Sequence, residues 1–405
     1  MKLEAVITEL DSSPVGRLTH FSNLEVTDAL NDSRTARVTI SLYDEAMRHV
    51  QALSRMVKIT YGPYLVFWGY ILRPVLDFGA GTCELNLHDP TLKLKHHYHH
   101  FGDAVVNDDP DNQSLSYSFD GRGLRLLMDS AYPTQAQLDN FVPGLGIRYG
   151  ENSYPNQPDE ADGGIWLTAA TRGQNVWESM TAMAGIAGGP EFRFVPIDED
   201  HPGHDGSTPE PGVFCELEIS DRLGSDRENV KQFTWGMGTG NTESIVMEID
   251  GDQVRNDWTQ VYPGGEKNTN LNERSKRGRV WDESSIADYG LYEGYEASQT
   301  KDKKKTLVDK ATAWVRAYRR PLNMVTITPR TDSPDTLRWM YDYEVGDRVM
   351  ARAKRGLTGI EQTVRITSTT LNQSSGDGDT RTTIQAVPVI EGPVSVEEDP
   401  VIILS

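Results

Sequence analysis

The chain has little cysteine, little basic charge and no long apolar run. Its two cysteines, Cys83 and Cys215, lie far apart in 405 residues. They make neither a disulfide framework nor a CxxC metal pair, so a reducing compartment is expected. Lys and Arg number 40 against 60 Asp and Glu, a formal charge of −20. That balance disfavours wrapping nucleic acid, which needs clustered cations, but an acidic wall lets phosphates pass without sticking. The longest apolar stretch, residues 64–72 (YLVFWGYIL), falls far short of the roughly 20 residues that span a bilayer. No stable membrane insertion is expected. The N-terminal MKLEAVITELDSS lacks an apolar h-region, so a secretory signal is not expected.

Catalytic signatures are missing too. No HExxH, GxSxG or calcium-binding DxDxDG loop occurs. WGMGTGN, residues 235–241, resembles a phosphate loop in Gly236, Gly238 and Gly240, but Asn241 stands where a P-loop needs Lys. It reads as a tight turn. His96, His97, His99 and His100 cluster without a completing cysteine or carboxylate, and His201 and His204 sit in an acidic stretch; both groups read as solvated loop rather than metal site. Sixty acids cannot single out a glycosidase pair. Tyr289, Tyr292 and Tyr295 beside Trp281 offer either a sugar-stacking platform or, at their three-residue spacing, packing; packing is the expectation. Lys301 and Lys303–Lys305 read as the solvated flank of the following helix. No catalytic, cofactor-binding or metal-ligating residue is named, and no enzyme activity or cofactor is expected.

What is present is turn chemistry and short alternation. The 36 Gly and 21 Pro argue for many short strands. Alternation at 37–43, strands at 56–60 and 65–72 around Gly62-Pro63, and apolar Cys83, Leu85 and Leu87 describe a small barrel or sandwich. Gly69 inside a strand implies a bulge or a close backbone approach. Met47, Val50 and Leu53, three apart, suggest a short helix. Residues 123–130 and 174–184 read as helices, 191–195 as a strand, and 107–113 and 150–164 as polar loops. Residues 198–212 (DEDHPGHDGSTPEPG) are the most linker-like stretch. Strands are expected at 213–219, 244–249, 324–328 and 341–345, with a helix over 307–318 stopped by Pro321. Residues 364–371 and 381–387 flank SSGDGD, a hairpin signal. Residues 56–71 and 347–366 echo one another as basic strand, turn, apolar strand, which suggests a duplicated β-unit.

Four stretches in order carry a family resemblance: MVKITYGPYLVFWGYI at 56–71, after the alternating strand at 36–42; GQNVWESMTAMAGIAGGPEFRF at 173–194; DESSIADYGLYE at 282–293, followed by the helix; and YEVGDRVMARA at 343–353. The chain resembles the baseplate hub or tail-tip (minor tail) proteins of tailed bacteriophages, especially long-tailed phages of actinobacteria. The acidic stretch at 198–212 and the loop at 150–164 are longer than that pattern, and residues after 392 match nothing in it.

The resemblance implies an α+β, β-rich fold of two similar small tail-tube-like β-barrels with α/β inserts. The first barrel would take 1–108 and an α+β insert 109–210. The second barrel would take 211–250 and 320–390, interrupted by an insert with a helix at 251–319, and 391–405 would form an extended tail. It implies a structural virion protein made in the host cytoplasm, forming a homotrimeric ring that continues the tail tube. Implied partners are the distal tail protein, the tape-measure protein and spike or central-fibre proteins, with DNA passing through the lumen during ejection without specific binding. The alternative is a tail-tip module that binds or hydrolyses cell-envelope carbohydrate.

Overall fold

The computed structural model describes residues 1–96, 146–149, 176–184, 191–202, 209, 212–220, 222–236, 240–262, 276–297, 304–333, 335–374, 378–389 and 395–396. The segments expected at 107–113, 123–130 and 150–164 lie outside the described residues.

The first strands are β1 (Leu3–Thr8), β2 (Pro14–Leu18), β3 (Phe21–Ala29), β4 (Thr35–Ser41), β5 (Met56–Tyr61), β6 (Tyr64–Asp77), which carries an unbroken buried run over 65–71, and β7 (Thr82–His88). In β4, Ala36, Val38 and Ile40 turn inward, as period-two alternation demands. Between β4 and β5 the three-residue spacing of Met47 and Val50 becomes one turn of 3-10 helix, Glu45–His49. The Asp44 side chain accepts from the Ala46 N–H at its start, and extended backbone at Val50 ends it. Leu53 is therefore not helical; it is exposed at φ 62°. Gly62, at φ 58°, makes the β5–β6 turn. Gly69 marks a close approach: a Cβ there would lie 2.3 Å from the His88 carbonyl oxygen.

The rest of the main sheet comes from β11 (Gln232–Trp235), β12 (Thr242–Asp250), β16 (Leu322–Pro329), β17 (Arg348–Arg355), β18 (Thr358–Ser374) and β19 (Thr380–Pro388). The expected hairpin at 374–379 is the β18–β19 connection. The full order is β12-β16-β19-β18-β3-β4-β7-β6-β5-β1-β2; β17 pairs with the first part of β18, on the same edge that β3 takes further along, and β11 lies beyond β17. Five strands recur in one order, β3-β4-β7-β6-β5 and β12-β16-β19-β18-β17. Both copies carry a register shift at the matching place, between Ile71 and Arg73 in β6 and between Ile366 and Ser368 in β18. The sixth strands differ: β1 runs antiparallel to β5, β11 parallel to β17.

These strands form one continuous 13-stranded sheet, and none of the pairings among the described residues closes it. The halves join where β3 pairs with β18. One apolar cluster crosses that junction, running from Leu3, Val26 and Phe67 to Trp339, Leu371 and Ile384. The stretch 341–345 also departs from expectation. Tyr343 and Val345 are buried, but so is Asp342, and Tyr341 is exposed, so the apolar alternation is not followed; Met340 takes φ 66° and the stretch makes an isolated Trp339–Tyr343 bridge instead of a strand.

Two smaller sheets attach. In the first, β10 (Cys215–Ser220) lies between β8 (Ile147–Tyr149), parallel, and β9 (Glu191–Pro196), antiparallel; this pairing crosses residue 211. The helix α2 (Val176–Ala184; α1 is the single turn Thr91–Leu94) brings Trp177 edge-on to Phe192, with ring centroids 5.7 Å apart. In the second, β15 (Glu293–Ala297), β13 (Asp257–Tyr262), β14 (Lys276–Trp281) and β20 (Ser395–Val396) pair in that order. Helix α3 (Glu283–Tyr289) is capped by Asp282, and α4 (Lys304–Tyr318) packs Ala311 and Val315 against Trp258 and Val280. Trp258 and Trp314 stack at 4.5 Å.

Candidate functional site

The residues weighed as sites do not converge. Among the described residues no group of three or more His, Cys, Asp or Glu could hold a metal ion. His96 follows α1, and His97–His100 and His204 lie outside the described residues. His201 is not solvated linker. It bridges the Asp198 carboxylate (2.7 Å) and the Pro63 carbonyl (2.8 Å), and Asp198 is buried in a salt bridge with Lys58 on β5. Burial pushes the Asp198 carboxyl up, but hydrogen bonds and charge from Lys58 and His201 outweigh it and hold the group below its ordinary value. The linker-like composition therefore hides an anchor at its start.

Gly236 takes φ 71° and packs against the Lys354 carbonyl, as a turn requires. Beside it, Trp235, Thr242, Glu243, Arg330 and Asp332 line an open hollow of about 640 Å³. Arg330 and Asp332 pair with each other there through two 2.9 Å bonds, which leaves no convergent constellation for a small ligand. Tyr289, Tyr292 and Tyr295 are not a packed helical stripe. They fall at the end of α3, in the following connection and on β15, and all three are exposed.

Buried charge instead ties the elements together. Arg34 donates to Asp28 (2.6 Å) and to the Val66 carbonyl (2.9 Å). Arg193 on β9 pairs with Glu218 on β10, reaches Glu344 (2.7 Å) and donates to the Val345 carbonyl (3.2 Å). Burial disfavours the Arg193 charge, yet Glu218, Glu344 and Asp28 raise its pKa further above an already high value. Burial raises Asp28, against the pull of Arg34 and Arg193. Arg365 on β18 clamps Glu191, and Asn31 exchanges two hydrogen bonds with Phe192. These contacts fix the first small sheet on the seam between the two halves. Sequence reasoning missed them because a lone Arg or Glu carries no local sign of its partner.

The surface features left unexplained by packing are sheet edges. Val246, Met247 and Ile249 on β12, and Leu72, Val75, Leu76 and Phe78 at the end of β6, are exposed. Among the described residues, β12 has a strand partner only on its β16 side. The stretch of β6 after Leu72 has one only on its β7 side. Such edges recruit other strands unless they are blunted.

No family model matches the chain, and no curated protein matches it in sequence. Three solved structures align along almost all of it. The tail protein from Neisseria meningitidis MC58 has a TM-score of 0.55 at 14% identity, covering 96% of this chain and 97% of that one. The 43 kDa tail protein of prophage MuSo2 from Shewanella oneidensis has a TM-score of 0.57 at 11% identity, covering 95% and 98%. The prophage tail protein gp18 from Listeria monocytogenes EGD-e has a TM-score of 0.54 at 8% identity, covering 96% and 95%. A mostly β chain with few helices, joined along one sheet and held by buried ion pairs, thus has a fold similar to that of phage tail proteins over its whole length.

Proposed function

We propose that the chain is a structural protein of a phage tail tip or baseplate hub, located in the virion. The observation that carries this is end-to-end likeness to three tail proteins, with at least 95% of each partner covered. Identity this low carries the fold; the role is our reading, supported by the tail-tip motif order in the sequence. In this reading three copies form a ring continuing the tail tube, each contributing its two similar sheet halves. Residues 1–108 supply one unit and 211–250 with 320–390 the other. Segments 109–210 and 251–319 are inserts, the first of them pairing its strands with residues 215–220 of the second unit, and 391–405 is the tail. The ring contacts the distal tail protein, the tape-measure protein and a spike or central fibre, and DNA crosses its lumen without binding. Acidic side chains line that lumen, an assignment motivated by the −20 charge. The assignment to actinobacteriophages rests on motif order alone.

The test is imaging. Purified protein, and virions labelled with an antibody to it, are viewed by electron microscopy. A threefold ring and label at the tail tip are expected; label on the head, or no label, overturns the reading. A lumen lined by Lys and Arg overturns the lumen assignment. Exposed Tyr289, Tyr292 and Tyr295 favour a second reading, a surface that stacks on envelope sugars. A glycan array with a stoichiometric hit lost in a Tyr295→Ala variant supports it.

A further inference from the structure

The internal junction between β3 and β18 is a worked example of how this sheet accepts another strand. In the first half, β3 is the outer strand beside β4; in the second, β12 is the outer strand beside β16. Alignment through the hairpin registers places Ile245, Met247 and Ile249 of β12 at the positions of Leu24, Val26 and Asp28 of β3. Alignment through the shared register shift places Pro74, Leu76 and Phe78 at the positions of Thr369, Leu371 and Gln373 of β18. Inside the molecule those segments pair, with Leu371 opposite Val26, both 0% exposed. The equivalent positions have no such cover. Leu76 is 46% exposed, Phe78 83%, Met247 39% and Ile249 61%.

From these matching edges we infer that β12 of one copy pairs antiparallel with residues 73–77 of β6 and the following Phe78 in the next copy, in the register of the internal β3–β18 ladder. This rests on the ring reading above and names the surfaces that make the ring. The register sets Leu76 against Met247, Pro74 against Ile249 and Phe78 against Ile245, all on the face that the internal junction buries. On the opposite face it sets Arg73 against Asp250, a charge pair, and Val75 against Glu248. The two edges are different surfaces, so the contact is head-to-tail and every copy both offers and accepts a strand; such contacts close into rings or run on as filaments. The absence of Lys and Pro from β12 fits an edge meant to be covered.

The test uses the full chain and particle masses in solution. Leu76→Asp and Met247→Asp each place a carboxylate in the apolar stripe. Each is expected to weaken association about a hundredfold or more and give monomers with unchanged circular dichroism, since both positions lie on the surface of the single chain. An equimolar mixture of the two variants is decisive. Each retains the edge the other lacks, so heterodimers and nothing larger are expected. Arg73→Asp is expected to weaken association about fivefold, with recovery in Arg73→Asp/Asp250→Arg. Rings undiminished in both Asp variants, or a mixture that stays monomeric, overturn the edge assignment and leave the ring reading standing. A wild-type chain that is monomeric at every concentration overturns both.

Discussion

Replacing Arg193 by Met tests whether buried charge holds the first small sheet to the seam. Arg193 is 8% exposed and Glu218, directly opposite it in the β9–β10 ladder, is 3% exposed. The substitution keeps much of the side-chain volume and removes the guanidinium from Glu218, Glu344 and the Val345 carbonyl. Glu344 has a side chain 23% exposed and regains water; Glu218 does not. Stripping one member from a buried pair costs about 3–5 kcal/mol, whereas replacing both members by apolar groups is often close to neutral. Arg193→Met is therefore expected to cost about 3–5 kcal/mol in urea unfolding at pH 7, followed by tryptophan fluorescence. Arg193→Met/Glu218→Leu should recover most of that loss, so the double variant costs less than Arg193→Met alone and far less than the two singles added. The single-variant cost should also shrink in acid. A buried carboxylate without its cation has a raised pKa, so its penalty is present above that value and disappears as protonation neutralises it. A single-variant cost below about 1 kcal/mol, or a double variant that equals the sum of the singles, would refute the reasoning.

Gly69→Ala should destabilise by at least about 2–3 kcal/mol, because the new methyl would lie 2.3 Å from the His88 carbonyl and β7 must shift; thermal unfolding that matches wild type refutes the close approach. Asp198→Asn should destabilise at pH 7 and converge with wild type in acid. The folded carboxyl of Asp198 lies below its ordinary value of 3.8, so its contribution is present above that value and is lost as pH falls through the lower folded one. A gap between the two proteins that does not narrow as pH falls below 3.8 counts against the Lys58–His201 anchor. Cys83 and Cys215 are buried and their thiols are pushed up, chiefly by burial. A thiol-specific disulfide reagent should label neither until the chain unfolds; rapid labelling of native protein contradicts their placement.

Local chemistry was enough for the hairpins, the β5–β6 turn and the helix expected over 307–318, which begins three residues earlier at Lys304, because turn residues and apolar periodicity act within a few residues. The echo between 56–71 and 347–366 was readable in outline, and Ile71 and Ile366 stand at the same register shift. Alternation misled at 341–345, where a loop exposes Tyr341, buries Asp342 beside Tyr343 and forms no ladder. Composition misled at Asp198 and His201, whose partners Lys58 and Pro63 are more than 130 residues away. Spacing misled at Tyr289, Tyr292 and Tyr295, which three different elements carry outward.

By itself, then, the sequence determined the kind of chain: acidic, turn-rich, β-dominated and internally repeated, with no catalytic motif. The tertiary structure decided that the two repeats share one core, that Arg193 and Arg365 lock a small sheet across their seam, and that apolar side chains on two sheet edges are exposed and, among the described residues, unpaired on one side. The physical reason is range. Backbone propensity and side-chain period are local, while the pairing of β3 with β18 joins residues some 340 positions apart. It depends on shape and register that no short window of sequence contains.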